Sequence, residues 1–179
     1  GITTLEQGIF KLIEEGPRKV SPFTIPMFMS NGAAGMIAIE TGARGPCFSV
    51  ASGCASGADA IGLAWLLIRH GLVDVAIAGG SEATITRVAI VAFDRVGGMS
   101  RRNDRYDTVP APFDKNRDGL VMGEGAAILV LESYEHAKAR RATILCELAG
   151  YGATADAFHV TAPAEDGAGS AAAITAALE

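Results

Sequence analysis

Gly45-Pro46-Cys47-Phe48-Ser49-Val50-Ala51-Ser52-Gly53-Cys54-Ala55-Ser56-Gly57-Ala58-Asp59-Ala60-Ile61-Gly62 is the stretch from which the fold can be read. An apolar, β-prone run ends in small residues, Cys54 follows at once, and an apolar helical pattern of about three to four turns begins at Ser56 or Gly57. The thiol is therefore expected at a strand-to-helix corner. There the free N–H groups and positive dipole end of the helix favour the thiolate, the form that acts as nucleophile. Gly53 and Ala55 leave its approach uncrowded, Gly57 lets another backbone or a substrate come close, and the stripe Ala58-Ile61-Trp65-Ile68 anchors the helix. The plainer alternative is a small buried residue at a tight turn, since free cysteine is among the most buried residue types. Cys47 and Cys146 lie inside apolar extended runs and read as core packing.

Working outward, Val73 to Ala78 is near-continuously apolar and followed by Gly79-Gly80, the pattern of a strand buried on both faces. Strand, helix and strand within about thirty residues predict a right-handed βαβ unit in a parallel sheet. Upstream, Leu5, Ile9, Leu12 and Ile13 put one apolar face on a helix from Thr3 to Glu15, stopped by Gly16-Pro17. The prolines of Ser21-Pro22-Phe23-Thr24-Ile25-Pro26 argue against regular helix or central strand there. Ser30 or Asn31 is placed to cap a helix that Gly42 ends. Downstream, Ala89 to Val96 reads as helix, Gly97 to Asp118 as charged turns, and Ala126 to Leu131 as strand. Tyr134 to Arg141 reads as helix, Ile144 to Tyr151 as strand, and Gly167 to Leu178 as an Ala-rich helix.

The chain has 179 residues, 49% of them hydrophobic, enough for a core of helices on sheet. Its net charge of −5 offers no general basic footprint for nucleic acid, so an acidic partner must be met by a local patch. No apolar run approaches the ~20 residues of a membrane span, and no basic-then-apolar leader opens the sequence. Three cysteines without a C-x-x-C pair argue against a zinc site and a disulfide framework, and for a reducing compartment. A soluble, cytoplasmic protein is expected. A first residue other than Met, and a final helical pattern without a stop signal, suggest a piece of a longer chain.

A second telling segment is Asp156-Ala157-Phe158-His159-Val160-Thr161-Ala162-Pro163, where a histidine on a loop at a predicted strand end is open to a substrate. His70, at a helix C-terminus, and His136, on a charged helix, read as plain solvated residues. The Cys54 corner, this segment, and Pro112-Phe113-Asp114-Lys115-Asn116-Arg117-Asp118-Gly119-Leu120-Val121-Met122-Gly123-Glu124-Gly125-Ala126 occur in one order. Together they closely resemble the β-ketoacyl-(acyl carrier protein) synthases, and Glu165-Asp166-Gly167 after the histidine segment makes the elongating KAS II type the nearest match. The likeness runs from Gly1 to Glu179.

That resemblance implies an α/β thiolase-like fold: duplicated five-stranded mixed sheets with helices in a five-layer sandwich, of which this chain would be a partial piece. Residues 1–141 would be most of the N-terminal half with the nucleophile, and 142–179 the start of the C-terminal half with the first catalytic histidine. Cys54 matches the family's nucleophile and His159 its first histidine, while the second histidine, a lysine and a Gly-Phe-Gly gate loop would fall beyond Glu179. The implied reaction is acyl transfer from acyl carrier protein to Cys54, then decarboxylative Claisen condensation with malonyl-carrier. It calls for no metal and no redox cofactor, and it implies a homodimer.

Ile2 matches an acyl-pocket residue near the dimer partner, Phe93 an aromatic at the site entrance, and Thr161 a hydroxyl on the pantetheine arm; packing explains each equally well. Arg18 and Lys19 match a basic spot for the acidic carrier, with a solvated loop pair as the alternative. Two positions depart from the family. Gly53 stands where alanine or threonine is usual, which would loosen the corner, and Gly97-Gly98 replaces an arginine used in carrier docking. The Pro112 to Ala126 segment reads as architectural. A catalytically silent partner like the chain-length factor of polyketide systems is the alternative of a different class; the retained Cys54 speaks against it, and the His159 segment speaks against a coenzyme A thiolase.

Overall fold

The computed structural model describes residues 1–179. They form two units: Gly1–Ser49 with Ser81–Ala126, and Val50–Gly80 with Ala127–Glu179. No helix is long and apolar enough to cross a membrane.

In the first unit, α1 (Ile2–Glu15) is the amphipathic helix the sequence predicts, and Gly16 at φ 89° ends it ahead of Pro17. Contrary to expectation, the proline-rich stretch contains a helix, α2 (Thr24–Phe28). Pro26 is its third residue, where the missing N–H has no intrahelical partner to lose. α3 (Gly32–Thr41) follows and Gly42 stops it at φ 70°, in the left-handed region. α5 (Arg87–Arg95), numbered after the fourth helix of the other unit, begins at Thr86, whose nearly buried hydroxyl accepts the Ala89 N–H at 3.2 Å. The Glu6 carboxylate of α1 accepts the Val88 N–H at 2.9 Å, so one helix supplies a cap to another. Glu124 likewise accepts the Ile85 N–H at 2.9 Å. The charged turns after α5 close on Asp118, which accepts the Ser100 hydroxyl and the Arg101 N–H and faces Arg102 at 3.5 Å. Ser100 first, helped by the Arg101 N–H and the Arg102 charge, holds the Asp118 carboxyl below its usual range. These bonds bear out the architectural reading of the Pro112 to Ala126 segment.

The second unit is built on α4 (Ser56–Arg69), which starts where the sequence placed it. β1 (Val75–Glu82) pairs with β2 (Gly125–Glu132) in a two-stranded sheet. The Asp74 carbonyl accepts the Ser133 N–H at 3.0 Å while Gly79 lies against Ala127 and Ile128, so the strands run antiparallel. Gly79-Gly80, expected to end β1, lie inside it. A Cβ on Gly79 would stand 2.1 Å from the Ala127 carbonyl oxygen, so this glycine marks a close approach rather than a stop. α6 (Tyr134–Ala139) is capped by the Ser133 hydroxyl, and α7 (Ala168–Leu178) closes the unit. Glu132 binds both His136 and Arg140; the Arg140 bond first, and the His136 bond next, pull its carboxyl down to about 2.

Two predicted strands, Cys47 to Val50 and Ile144 to Tyr151, belong to no sheet. A strand is defined by ladder bonds, and neither segment meets a partner among these residues. The βαβ unit is thus present only as its helix and second strand. For the same reason Cys47 and Cys146, expected as core packing, are exposed. The apolar side chains that expose less than a tenth of their surface are all alanines, Ala64, Ala78, Ala89 and Ala137.

Candidate active site

Cys54 is the middle residue of a single 3-10 turn, Gly53–Ala55, that runs straight into α4. The corner exists, and its thiol is exposed rather than buried in a tight turn. Gly53 takes φ 62°, and a Cβ there would meet nothing within 4 Å. The glycine therefore supplies a left-handed backbone, not space, and it shapes the corner where alanine would be strained.

The corner is laced by short bonds. The Ser52 N–H donates to Ser56 Oγ at 3.0 Å, the Ser56 hydroxyl donates to the Gly53 carbonyl at 2.7 Å, and the Ala55 N–H donates to the Ser52 carbonyl at 3.3 Å. The Ser52 hydroxyl donates to Asp59 Oδ2, and the Tyr151 hydroxyl donates to the other oxygen, Oδ1, at 2.8 Å. Those two bonds, Ser52 first, hold the Asp59 carboxyl below its usual range, and the carboxylate in turn pushes the Tyr151 phenol up. Gly57 touches Gly80 at 3.4 Å from where its Cβ would be, the close backbone approach its sequence position suggested.

His159 sits in a loop closed by Asp156, whose Oδ2 accepts the Ala164 N–H at 2.9 Å. Its Nδ1 accepts two backbone N–H groups, Thr161 at 3.1 Å and Ala162 at 3.0 Å. Two donors aimed at one ring nitrogen leave it unprotonated, so Nε2 carries the hydrogen and is a donor.

The structure puts Cys54, His159 and Thr161 in the second unit and Ile2, Phe93, Arg18 and Lys19 in the first. Ile2 opens α1, and Phe93 lies exposed on α5. Arg18 and Lys19 form the exposed 3-10 turn Pro17–Lys19, engaged in no ion pair. No three His, Cys, Asp or Glu side chains converge as metal ligands. Asp59 and Tyr151 were not singled out from the sequence. The available signal was a carboxylate five residues after the cysteine, alone on an apolar helix.

The family described as Beta-ketoacyl synthase, N-terminal domain, matches residues 2–137. The chain belongs to the β-ketoacyl synthase family. Among curated relatives, the 3-oxoacyl-[acyl-carrier-protein] synthase 2 of Staphylococcus aureus is 45% identical over 179 residues, all of this chain and 44% of that protein. A solved type II PKS acyl-carrier protein in complex with its ketosynthase bound to the hexaketide matches at TM-score 0.90 and 35% identity, over 99% of this chain and 45% of its counterpart. A β-ketoacyl synthase from Burkholderia phymatum STM815 matches at TM-score 0.86 and 37% identity, over 97% and 43%. The fold is therefore the thiolase-like ketosynthase fold, and the chain spans less than half the length of these relatives. Cys54 falls within the matched stretch, residues 2–137, and His159 beyond it.

Proposed function

We propose that the protein carrying these residues is a condensing 3-oxoacyl-(acyl carrier protein) synthase of fatty acid or polyketide synthesis, with Cys54 as nucleophile and His159 as hydrogen-bond donor. The observation that carries this reading is the His159 ring: with Nδ1 occupied by two N–H donors, Nε2–H is left to bind a carbonyl oxygen. The Cys54 thiolate attacks the thioester carbon of an acyl-carrier, the carrier thiolate leaves and takes a proton, and the acyl chain rests on sulfur. The Cys54 N–H is assigned to hold the developing oxyanion; such a donor typically stabilises by ~3–4 kcal/mol.

Malonyl-carrier then loses carbon dioxide. The electron pair of the broken C–C bond becomes an enolate, whose oxygen the Nε2–H of His159 stabilises. The enolate carbon attacks the acyl-Cys54 carbonyl, the C–S bond breaks, and a β-ketoacyl-carrier two carbons longer departs with the thiolate restored. Every step conserves oxidation balance without an external electron carrier.

The remaining assignments belong to the same proposal. Residues 1–141 form the nucleophile half and 142–179 open the histidine half. Thr161, two residues from His159, meets the pantetheine arm, Ile2 and Phe93 border the acyl pocket, and exposed Arg18 and Lys19 greet the acidic carrier. A homodimer accounts for Phe48, nearly half exposed in a segment without a ladder partner, and the site of action is the cytoplasm. The test separates the half-reactions. His159→Ala should leave transfer of the acyl group to Cys54 intact and abolish release of carbon dioxide from malonyl-carrier; loss of transfer with decarboxylation unchanged would reverse the two roles.

A further inference from the structure

We propose that Asp59 and Tyr151 are positioning residues that tie the segment bearing His159 to the corner bearing Cys54, an inference that rests on the functional reading above. Asp59 is the fourth residue of α4 and spends both carboxylate oxygens on this tie: Oδ2 on the Ser52 hydroxyl at the foot of the nucleophile turn, Oδ1 on the Tyr151 hydroxyl. The Tyr151 ring lies over the same helix one turn on, where a Cβ on Gly62 would stand 2.1 Å from its Cδ2. Tyr151 thus grips α4 by its face and by its hydroxyl together.

The opposite side of the Tyr151 segment is held as firmly. Gly150 and Gly152 lie against the Ala177 and Ala173 carbonyls of α7, so close that a Cβ would stand 1.9 and 2.1 Å from those oxygens. Alternate residues facing opposite ways is the period of extended chain, so residues 150 to 152 form a strap between α4 and α7. The strap continues toward the histidine. Thr154 Oγ1 donates to the Gly169 carbonyl at 2.7 Å, and Asp156 closes the loop in which His159 is fixed. From Cys54 the connection runs through Ser52, Asp59 and Tyr151 into the chain that ends at His159, by hydrogen bonds and packed backbone throughout.

The consequence is selective. Acyl transfer needs the Cys54 corner alone, whereas condensation needs Cys54 and His159 held in one geometry, and misplacement by ~1 Å can cost ~100-fold. Tyr151→Phe keeps the ring on Gly62 and deletes only the bond to Asp59; Asp59→Asn sets an amide NH2, a donor, against one of the two hydroxyls that now donate to separate carboxylate oxygens. In the protein carrying these residues, Tyr151→Phe should acylate Cys54 within about twofold of wild type and condense malonyl-carrier about tenfold more slowly, while Asp59→Asn, which also loosens Ser52 at the nucleophile turn, should slow condensation at least as much. The double variant should be no slower than the worse single one, because the two residues act as one unit. Equal loss of both steps in Tyr151→Phe, loss that tracks a fall in Tm, or additive losses would overturn the proposal. Wild type that forms no acyl adduct would instead overturn the functional reading, and the tie is then read without substrate from amide exchange. Tyr151→Phe should speed exchange at Ala55 and at Thr161 alike, and acceleration confined to the neighbours of residue 151 would overturn the tie.

Discussion

Tyr151 donates its phenolic hydrogen to Asp59 at 2.8 Å while its ring occupies the space that a side chain on Gly62 would need. One aromatic residue therefore fixes the helix behind Cys54 twice, by a polar contact at its first turn and by packing one turn later. The arrangement explains why position 62 is glycine in a helix whose interior otherwise favours alanine, since glycine there costs about 1 kcal/mol of helix propensity.

Gly62→Ala should destabilise the protein by about 1–3 kcal/mol although alanine is the better helix former, because the methyl collides with the ring. Denaturant unfolding of Gly62→Ala, Tyr151→Ala and the double variant checks it. The double variant should be more stable than the sum of the single losses predicts, since truncating the ring makes room for the methyl.

Gly53→Ala should cost about 1 kcal/mol for a different reason. No atom lies in the way, but φ 62° is strained for any residue with a Cβ. Acylation of Cys54 should slow as well, because the turn that presents the thiol must shift. A variant as stable and as fast as wild type would show that the left-handed backbone is not needed.

The acid limb of stability should bear the signature of Glu132. Its folded value of about 2 lies below the ordinary 4.5, so its stabilisation is complete above the unfolded value and fades as pH falls from about 4.5 to about 2. Asp59 and Asp118, also held low, act in the same direction. Glu132→Gln should lower stability at pH 7 and have lost most of that effect near pH 2, as read from urea unfolding at the two values. A penalty undiminished near pH 2 would contradict the pairing with Arg140 and His136.

The His159 tautomer is open to direct observation. Nitrogen NMR of labelled protein should find Nδ1 as the unprotonated ring nitrogen and Nε2 carrying the hydrogen. The opposite tautomer would remove the donor that the proposed decarboxylation requires.

The legible and illegible parts of the fold divide on physical grounds. Helices α1, α4 and α5 follow from their apolar patterns and α7 from its Ala-rich composition, because a helix satisfies its own backbone within a local stretch of sequence. Cys47 to Val50 and Ile144 to Tyr151 have strand-like composition, but a strand needs a partner, and no local pattern supplies one. Gly79-Gly80 looked like punctuation because the Ala127 backbone that presses on it lies almost fifty residues away in sequence. The site divides in the same way. Cys54 and His159 announce themselves by residue type and flanking motif, whereas the Asp59 and Tyr151 pair is 92 residues apart and exists only in three dimensions.

The central claim is that Cys54 accepts the acyl group. Intact-mass analysis of the protein carrying these residues, after incubation with acyl-carrier, should show a single acyl adduct that maps to the Cys54 peptide and vanishes in Cys54→Ala. An adduct that persists in Cys54→Ala would contradict the assignment, and absence of any adduct on wild type would point to the silent, chain-length-factor-like partner instead.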